Sequence, residues 1–239
     1  MKNTLTLFLL CVFLCSFLFF GAIIFLNYTF LDIFRLPVPT LLFVAGGLVP
    51  GIVGYILYSK TESPNLFKIR HANSIILLLV YMLVHVSLYN LFGVMKPASN
   101  LIRLIVSIPL ATLIFGIQEI GWIKLVQENY ETKKGYIRSI TIMGLLKSLT
   151  FLPLLFLRGF PANMNFMSFF AAMIVGISAL SVSVYRNSEA LVTPVLLVGV
   201  LYAIMASVYL NQSLTMVLIA FLECSMVFYL QDFLYKKTI

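Results

Sequence analysis

Residues 101–125 read LIRLIVSIPLATLIFGIQEIGWIKL, a run of twenty-five residues whose charges are Arg103, Glu119 and Lys124. A helix crosses a hydrocarbon core with roughly 20 predominantly apolar residues, so this stretch is long enough to span a membrane. Glu119 sits near one end of it. An ionisable group inside such a segment needs a partner, a hydrated cavity or a function. The apolar span decides the fold class, and the carboxylate within it raises the question of function.

The rest of the chain has the same character. Of 239 residues, 62% are apolar and 10% charged, and the mean hydropathy of +1.06 lies outside the range of ordinary soluble domains. Eight apolar runs are long enough to cross, at about 4–27, 36–58, 74–95, 101–125, 139–158, 164–185, 193–210 and 213–235. The expected fold is therefore all-α, a polytopic membrane helical bundle of about eight transmembrane helices. It forms a single transmembrane domain over 1–239, with N-terminal helices in 1–100 and the last helix and tail in 213–239. The first run has no A-x-A cleavage site and reads as a retained helix. Pro50, among Gly46, Gly47, Gly51 and Gly54, predicts a kink or break in the second run. The polar stretch 126–138 reads as a solvated connector close to lipid headgroups. Tyr28, Phe34, Tyr55, Tyr58, Tyr185 and Tyr235, near span ends, read as interfacial anchors.

A net charge of +8 invites a nucleic-acid reading, but the basic residues are scattered over loops instead of forming a stripe, which excludes nucleic acid as the expected partner. Their distribution fits the positive-inside rule. Lys2, Lys60, Lys68, Arg70, Lys124, Lys133, Lys134, Arg138, Arg186, Lys236 and Lys237 fall on one side of an eight-span chain; Arg35, Lys96, Arg103 and Arg158 fall on the other. Both termini are expected on the cytoplasmic side, with the lipid bilayer as the first partner. Cys11, Cys15 and Cys224 lie in predicted helices without C-x-x-C spacing and read as packing residues.

Four ionisable residues fall within the spans: His85, Glu119, Lys147 and Glu223. A charge at a helix centre costs about 2.5 to 3.5 kcal/mol on insertion scales. Glu119 lies roughly 9 Å from the end of its span and Lys147 roughly 12 Å into the next, at about 1.5 Å per residue. Neighbouring antiparallel helices would bring them together as an ion pair that needs neither metal nor substrate. His85, among aliphatic neighbours, reads as a histidine bonded to a backbone group or hydroxyl. Glu223 is left open between protonation, pairing with Lys147 and a polar cavity. With only His71 and His85 in the chain, metal-ligand spacing is absent; no metal and no other cofactor is expected.

Gln118-Glu119-Ile120-Gly121-Trp122-Ile123 resembles the E-E-x-G-W-R motif of the CPBP intramembrane proteases, which include the type II CAAX prenyl proteases and the bacterial Abi proteins linked to bacteriocin self-immunity. It matches at Glu119, Gly121 and Trp122 and departs at Gln118 and Ile123. Lys147-Ser-Leu-Thr-Phe151-Leu152-Pro153 has the length and proline of the family's F-x-x-x-H-x-P, with Phe151 in place of the histidine. The H-x-x-x-N motif would fall on Gly199 and Ala203. The likeness covers about 111–206, which the resemblance makes the CAAX-protease-like core, and it implies a bacterial cytoplasmic membrane.

In such a site a glutamate deprotonates water while histidine and asparagine position it, or a metal, and stabilise the oxyanion. Here Glu119 alone keeps a catalytic type. Gln118 cannot act as a base, and Phe151, Gly199 and Ala203 offer neither ligand nor acid. Phe151 fills the volume of an imidazole, Gly199 and Ala203 form a small-x-x-x-small face, and Lys147 shares a helix face with Phe151. The expectation is a catalytically impaired homologue that binds a membrane protein, a peptide or a lipidated chain, in immunity or regulation. Two alternatives stand beside it: a divergent active protease using Glu119 with Lys147, Glu223 or His85, and a small transporter built on the proline-containing second span.

Overall fold

A computed structural model describes residues 2–29, 31–60, 65–71, 73–92, 95–96, 101–159, 164–206, 209–210 and 215–235. The side chains of Lys2, Phe34, Lys96, Arg103 and Tyr235, and all of Lys236 and Lys237, lie outside the described set. Among the described residues eight helical rods follow in order: α1 (Lys2–Phe25), α2 (Pro37–Ser59), α3 (Asn73–Leu91), the composite rod α4 (101–134), α5 (Tyr136–Thr150), α6 (Met164–Ser188), α7 (Val192–Ala206) and α8 (Thr215–Tyr235). Short 3-10 turns at Asp32–Phe34 and Leu152–Phe156 join them, and Met95–Lys96 pairs antiparallel with Tyr209–Leu210.

The helical membrane class stands, at a coarser level than eight crossings. Asn3–Phe25, Pro37–Ser59, Asn73–Leu91, Ser107–Lys134 and Met167–Ser188 are the five described helices long and apolar enough to cross a membrane; Val192–Met205 and Thr215–Leu230 are shorter apolar helices. The expected fifth span is cut short. Its helix ends at Thr150, and Phe151 at φ −91 and ψ 0 leads into the 3-10 turn begun by Leu152 and Pro153; Pro153 has no N–H to continue the α-helical ladder onto the Leu149 carbonyl.

Of the kink or break expected at Pro50, the break is absent: α2 is one helix from Pro37 to Ser59. Pro50 lacks the N–H that would bond the Gly46 carbonyl, and Ser16 Oγ of α1 reaches that carbonyl instead, at 3.5 Å. The glycines of α2 serve close packing. A Cβ on Gly47 would stand 2.5 Å from Ile114 Cγ2, one on Gly51 2.6 Å from the Ile117 carbonyl, and one on Gly54 2.7 Å from the Gly121 nitrogen. Helix α4 therefore lies in a glycine trough along α2, as small residues permit in a membrane.

The stretch expected as a solvated connector is also helical. Rod α4 continues to Lys134, held by bonds one turn apart from Lys124 to Glu128, Gln127 to Glu131 and Lys133 to Asn129, the spacing that stabilises a helix surface. Gly135, at φ +79, ends it in a conformation that favours glycine.

Loops gather at two ends. At one end Arg70 pairs with Glu189, Arg186 with Glu131, and the backbone N–H groups of Leu191 and Val192 donate to the Asn65 and Leu66 carbonyls. At the other, Thr29 bridges to Arg158. Helix α6 packs against α3, α5, α7 and α8, which makes it the pillar from which both buried polar sites are built.

Candidate functional site

Glu119 enters the core on a distorted stretch of α4. Regular helix from Leu101–Ala111 gives way to a π-helical turn at Thr112–Gly116, and a second one, Trp122–Gln127, follows the short α turn Glu119–Gly121. Such widened turns are frequent at functional sites, and they free carbonyls that need other donors. Gln118 Nε2 supplies one, donating to the Ile114 carbonyl at 2.8 Å. The side chain in place of the family's first glutamate is thus bonded to its own helix.

The Glu119 carboxylate is 2% exposed. Lys147 of α5 donates to both of its oxygens, at 2.6 and 2.8 Å, and Ser181 Oγ of α6 donates to Oε2 at 2.8 Å. A third donor position of Lys147 reaches Ser178 Oγ at 3.3 Å. An ammonium has three protons and a carboxylate accepts from several sides, so both charges are compensated. The pair expected from equal depth along neighbouring helices is present.

Aromatic side chains close the surroundings. Phe151 is 6% exposed and packs on Phe20, Phe115 and Phe170 with ring centroids 5.8, 6.0 and 5.9 Å apart. Phe115 in turn stacks on Tyr202 at 4.3 Å. The space left between Glu119, Lys147, Phe151, Ser178 and Tyr202 is about 10 Å³, at the threshold for a single water and far too small for a peptide.

The remaining motif positions are occupied by packing. Trp122 is fully buried with Phe8 edge-on at 5.5 Å, and Ile123 is fully buried where the family pattern has arginine. A Cβ on Gly199 would stand 2.5 Å from Thr112 Cα, so α7 lies directly on the π turn of α4. Ala203, one turn on, is fully buried, and its carbonyl accepts from Ser107 Oγ of α4 at 3.5 Å. The small-residue face meets α4, and no side chain fits at position 199.

A second buried pair corrects the reading of His85 as a histidine bonded to a backbone group or hydroxyl: its partner is a carboxylate. Its Nδ1 lies 2.5 Å from Glu223 Oε1, both side chains being fully buried, and Tyr89 packs on the imidazole at 4.4 Å. Gly176 of α6 makes room for the carboxylate, since a Cβ there would collide with Glu223 Oε2. Part of the signal was in the sequence: His85 is twelve residues from Asn73, the N-terminal end of α3, and Glu223 twelve from Tyr235, the C-terminal end of α8, each roughly 18 Å, so antiparallel helices would put them at one depth. What the sequence withheld was that α3 and α8, far apart in the chain, are neighbours.

Lys124 is held at the loop-rich end by Glu128 at 2.6 Å and by the rings of Tyr58 and Tyr185, each 4.9 Å away. These two tyrosines form a cation–π clasp. Among the described residues no group of three histidine, cysteine or carboxylate side chains gathers that would hold a metal ion. In this arrangement the Glu119 carboxylate is bonded to an ammonium and a hydroxyl, and Gln118, Ser178 and Tyr202 are the other polar side chains lining the small space beside it. Compared with known proteins, the chain matches no family model and no curated protein sequence.

Proposed function

We propose that this chain is an integral protein of a bacterial cytoplasmic membrane, with both termini cytoplasmic, and a non-hydrolytic relative of the CPBP (CAAX-protease-like) intramembrane proteases. It acts by binding a membrane protein, a peptide or a lipidated chain, in immunity or regulation. The observation that carries this reading is the Glu119–Lys147 ion pair, bonded through both carboxylate oxygens and to Ser181. A general base must hold a lone pair free for water; this one faces an ammonium in a space of about 10 Å³. The motif positions support ancestry, since Glu119, Gly121 and Trp122 keep the family's order while Phe151 and Gly199 replace its histidines.

The test uses purified full-length chain in proteoliposomes with a panel of membrane-spanning and prenylated peptides. Wild type and a Glu119→Gln/Lys147→Met double variant are expected to leave the panel uncut, with or without added zinc, and to bind any retained peptide with affinities within about threefold. Cleavage by the wild type that disappears in the double variant would overturn the reading.

A further inference from the structure

A cavity much larger than the space beside Glu119 lies elsewhere in the bundle. A groove of about 1020 Å³ runs between α5 and α8 on the outer side of α6, lined by Leu145 and Leu149 on one wall, Phe221 and Tyr229 on the other, and Ala171 and Ala172 on the floor. Three of its hydroxyls are committed. Thr141 donates to the Ile137 carbonyl, Ser148 to that of Leu145 and Ser225 to that of Phe221, each within its own helix. A polar ligand would find no donor among these three, whereas an aliphatic chain loses nothing there.

Size separates the candidate occupants. A 20-residue helix fills a cylinder about 10 Å across and about 30 Å long, roughly 2,400 Å³, more than twice the groove. Two acyl chains of about sixteen carbons, each carbon taking roughly the 30 Å³ of a water-sized group, need about 1,000 Å³. The charge at the loop-rich end agrees with the acyl reading. Arg138 is exposed and falls on one helix stripe with Thr141, Leu145 and Leu149, at i, i+3, i+7 and i+11. With Arg138, the segment 124–138 and Arg186 bring five basic residues to the loop-rich end, Lys124, Lys133, Lys134, Arg138 and Arg186, against two acids, Glu128 and Glu131. Both acids are engaged, Glu128 by Lys124 and Glu131 by Arg186.

We propose that this groove seats the two acyl chains of an anionic glycerophospholipid, with the phosphate-bearing headgroup over Arg138. The site is separate from Glu119 and goes beyond the protein-binding function above. Bulk lipid touches every apolar face of a membrane protein; what marks this place is a chain-sized recess ending at a surplus of positive charge.

The test is native mass spectrometry of the full chain in detergent, with palmitoyl-oleoyl phosphatidylglycerol or phosphatidylcholine titrated in. The wild type is expected to retain one phosphatidylglycerol in preference to phosphatidylcholine. Arg138→Gln should reduce that preference about fivefold, the effect of one cation beside an anionic headgroup, and Arg138→Lys should restore most of it. Ala172→Phe, which fills the floor without entering the packed core, should lower retention of both lipids while leaving the melting temperature near that of wild type. Equal retention of the two lipids by wild type, or retention unaffected by Ala172→Phe, would overturn the proposal. So would a second polypeptide chain that occupies the groove and excludes lipid.

Discussion

Glu119 and Lys147 are tolerated in an apolar core because each is the other's counter-ion, so the effect of changing either depends on what happens to its partner. Glu119→Gln alone leaves a buried ammonium facing a neutral amide, which costs about 3 to 5 kcal/mol. Replacing both, as in Glu119→Gln/Lys147→Met, removes the stranded charge, and exchange of a buried pair for matched neutral groups is often neutral or stabilising. Melting in detergent should show a large loss for either single variant and recovery in the double; equal losses in all three would mean that the ion pair is not the interaction being removed. Outside the spans, Asp32 offers a pH-dependent case. The backbone N–H and hydroxyl of Thr29 both donate to its carboxylate, with Arg35 adding charge, and hold its pKa below the ordinary value. A depressed carboxyl contributes stability above about pH 3.9, the unfolded value, and loses it as pH falls through the folded value. The Asp32 carboxyl carbon should therefore titrate below that of a free aspartate, and Thr29→Ala should move its midpoint up.

Helix contacts decide whether the histidines of the CPBP motif could be placed at the positions that resemble it. Phe151→His would place an imidazole among Phe20, Phe115 and Phe170, and Gly199→His has no space beside Thr112, where even a Cβ stands 2.5 Å from backbone. Overpacking of this kind costs about 1 to 3 kcal/mol and often more when backbone must move. The Phe151→His/Gly199→His variant should thus express poorly and bind no zinc by calorimetry; a folded variant with stoichiometric zinc would show that the two positions can open to meet around a metal ion. The Glu119–Lys147 contact was legible in the sequence because the two residues lie on consecutive antiparallel helices, where residue counting alone fixes relative depth. The His85–Glu223 contact was not, since it depends on the packing of distant helices around α6. Neither were the π turns flanking Glu119, whose register depends on the fit of Gly199 and Ala203 against Thr112 and Ser107, nor the helical state of 126–134, where pairs four residues apart outweighed a polar composition. Pro50 misled for a related reason: the donor that covers its freed carbonyl is Ser16, on another helix.

Across the molecule, the contacts between loops sort the chain into two ends. The 65–70 segment, the end of α4 and the turn after α6 touch through Arg70 with Glu189, Arg186 with Glu131, and backbone bonds from 191 and 192 to 65 and 66; the turns after α1 and α5 meet at Thr29 and Arg158. The exposed Arg70–Glu189 pair contributes little by itself, about 0 to 1 kcal/mol, so the backbone bonds and the buried helices must fix the arrangement. Glu189→Gln should accordingly leave the melting temperature almost unchanged. The proposed orientation puts the first end, which carries the lysine and arginine surplus, in the cytoplasm, as the positive-inside rule would have it. In a background with Cys11, Cys15 and Cys224 changed to alanine, an impermeant maleimide added to intact spheroplasts should label Gly159→Cys but not Lys68→Cys or Thr132→Cys, and inverted vesicles should reverse the pattern. Lys68→Cys and Thr132→Cys must behave alike, since the 65–70 segment and the end of α4 belong to one end. Labelling of one and not the other would break the two-ended arrangement, while joint labelling in spheroplasts would keep it and invert the orientation.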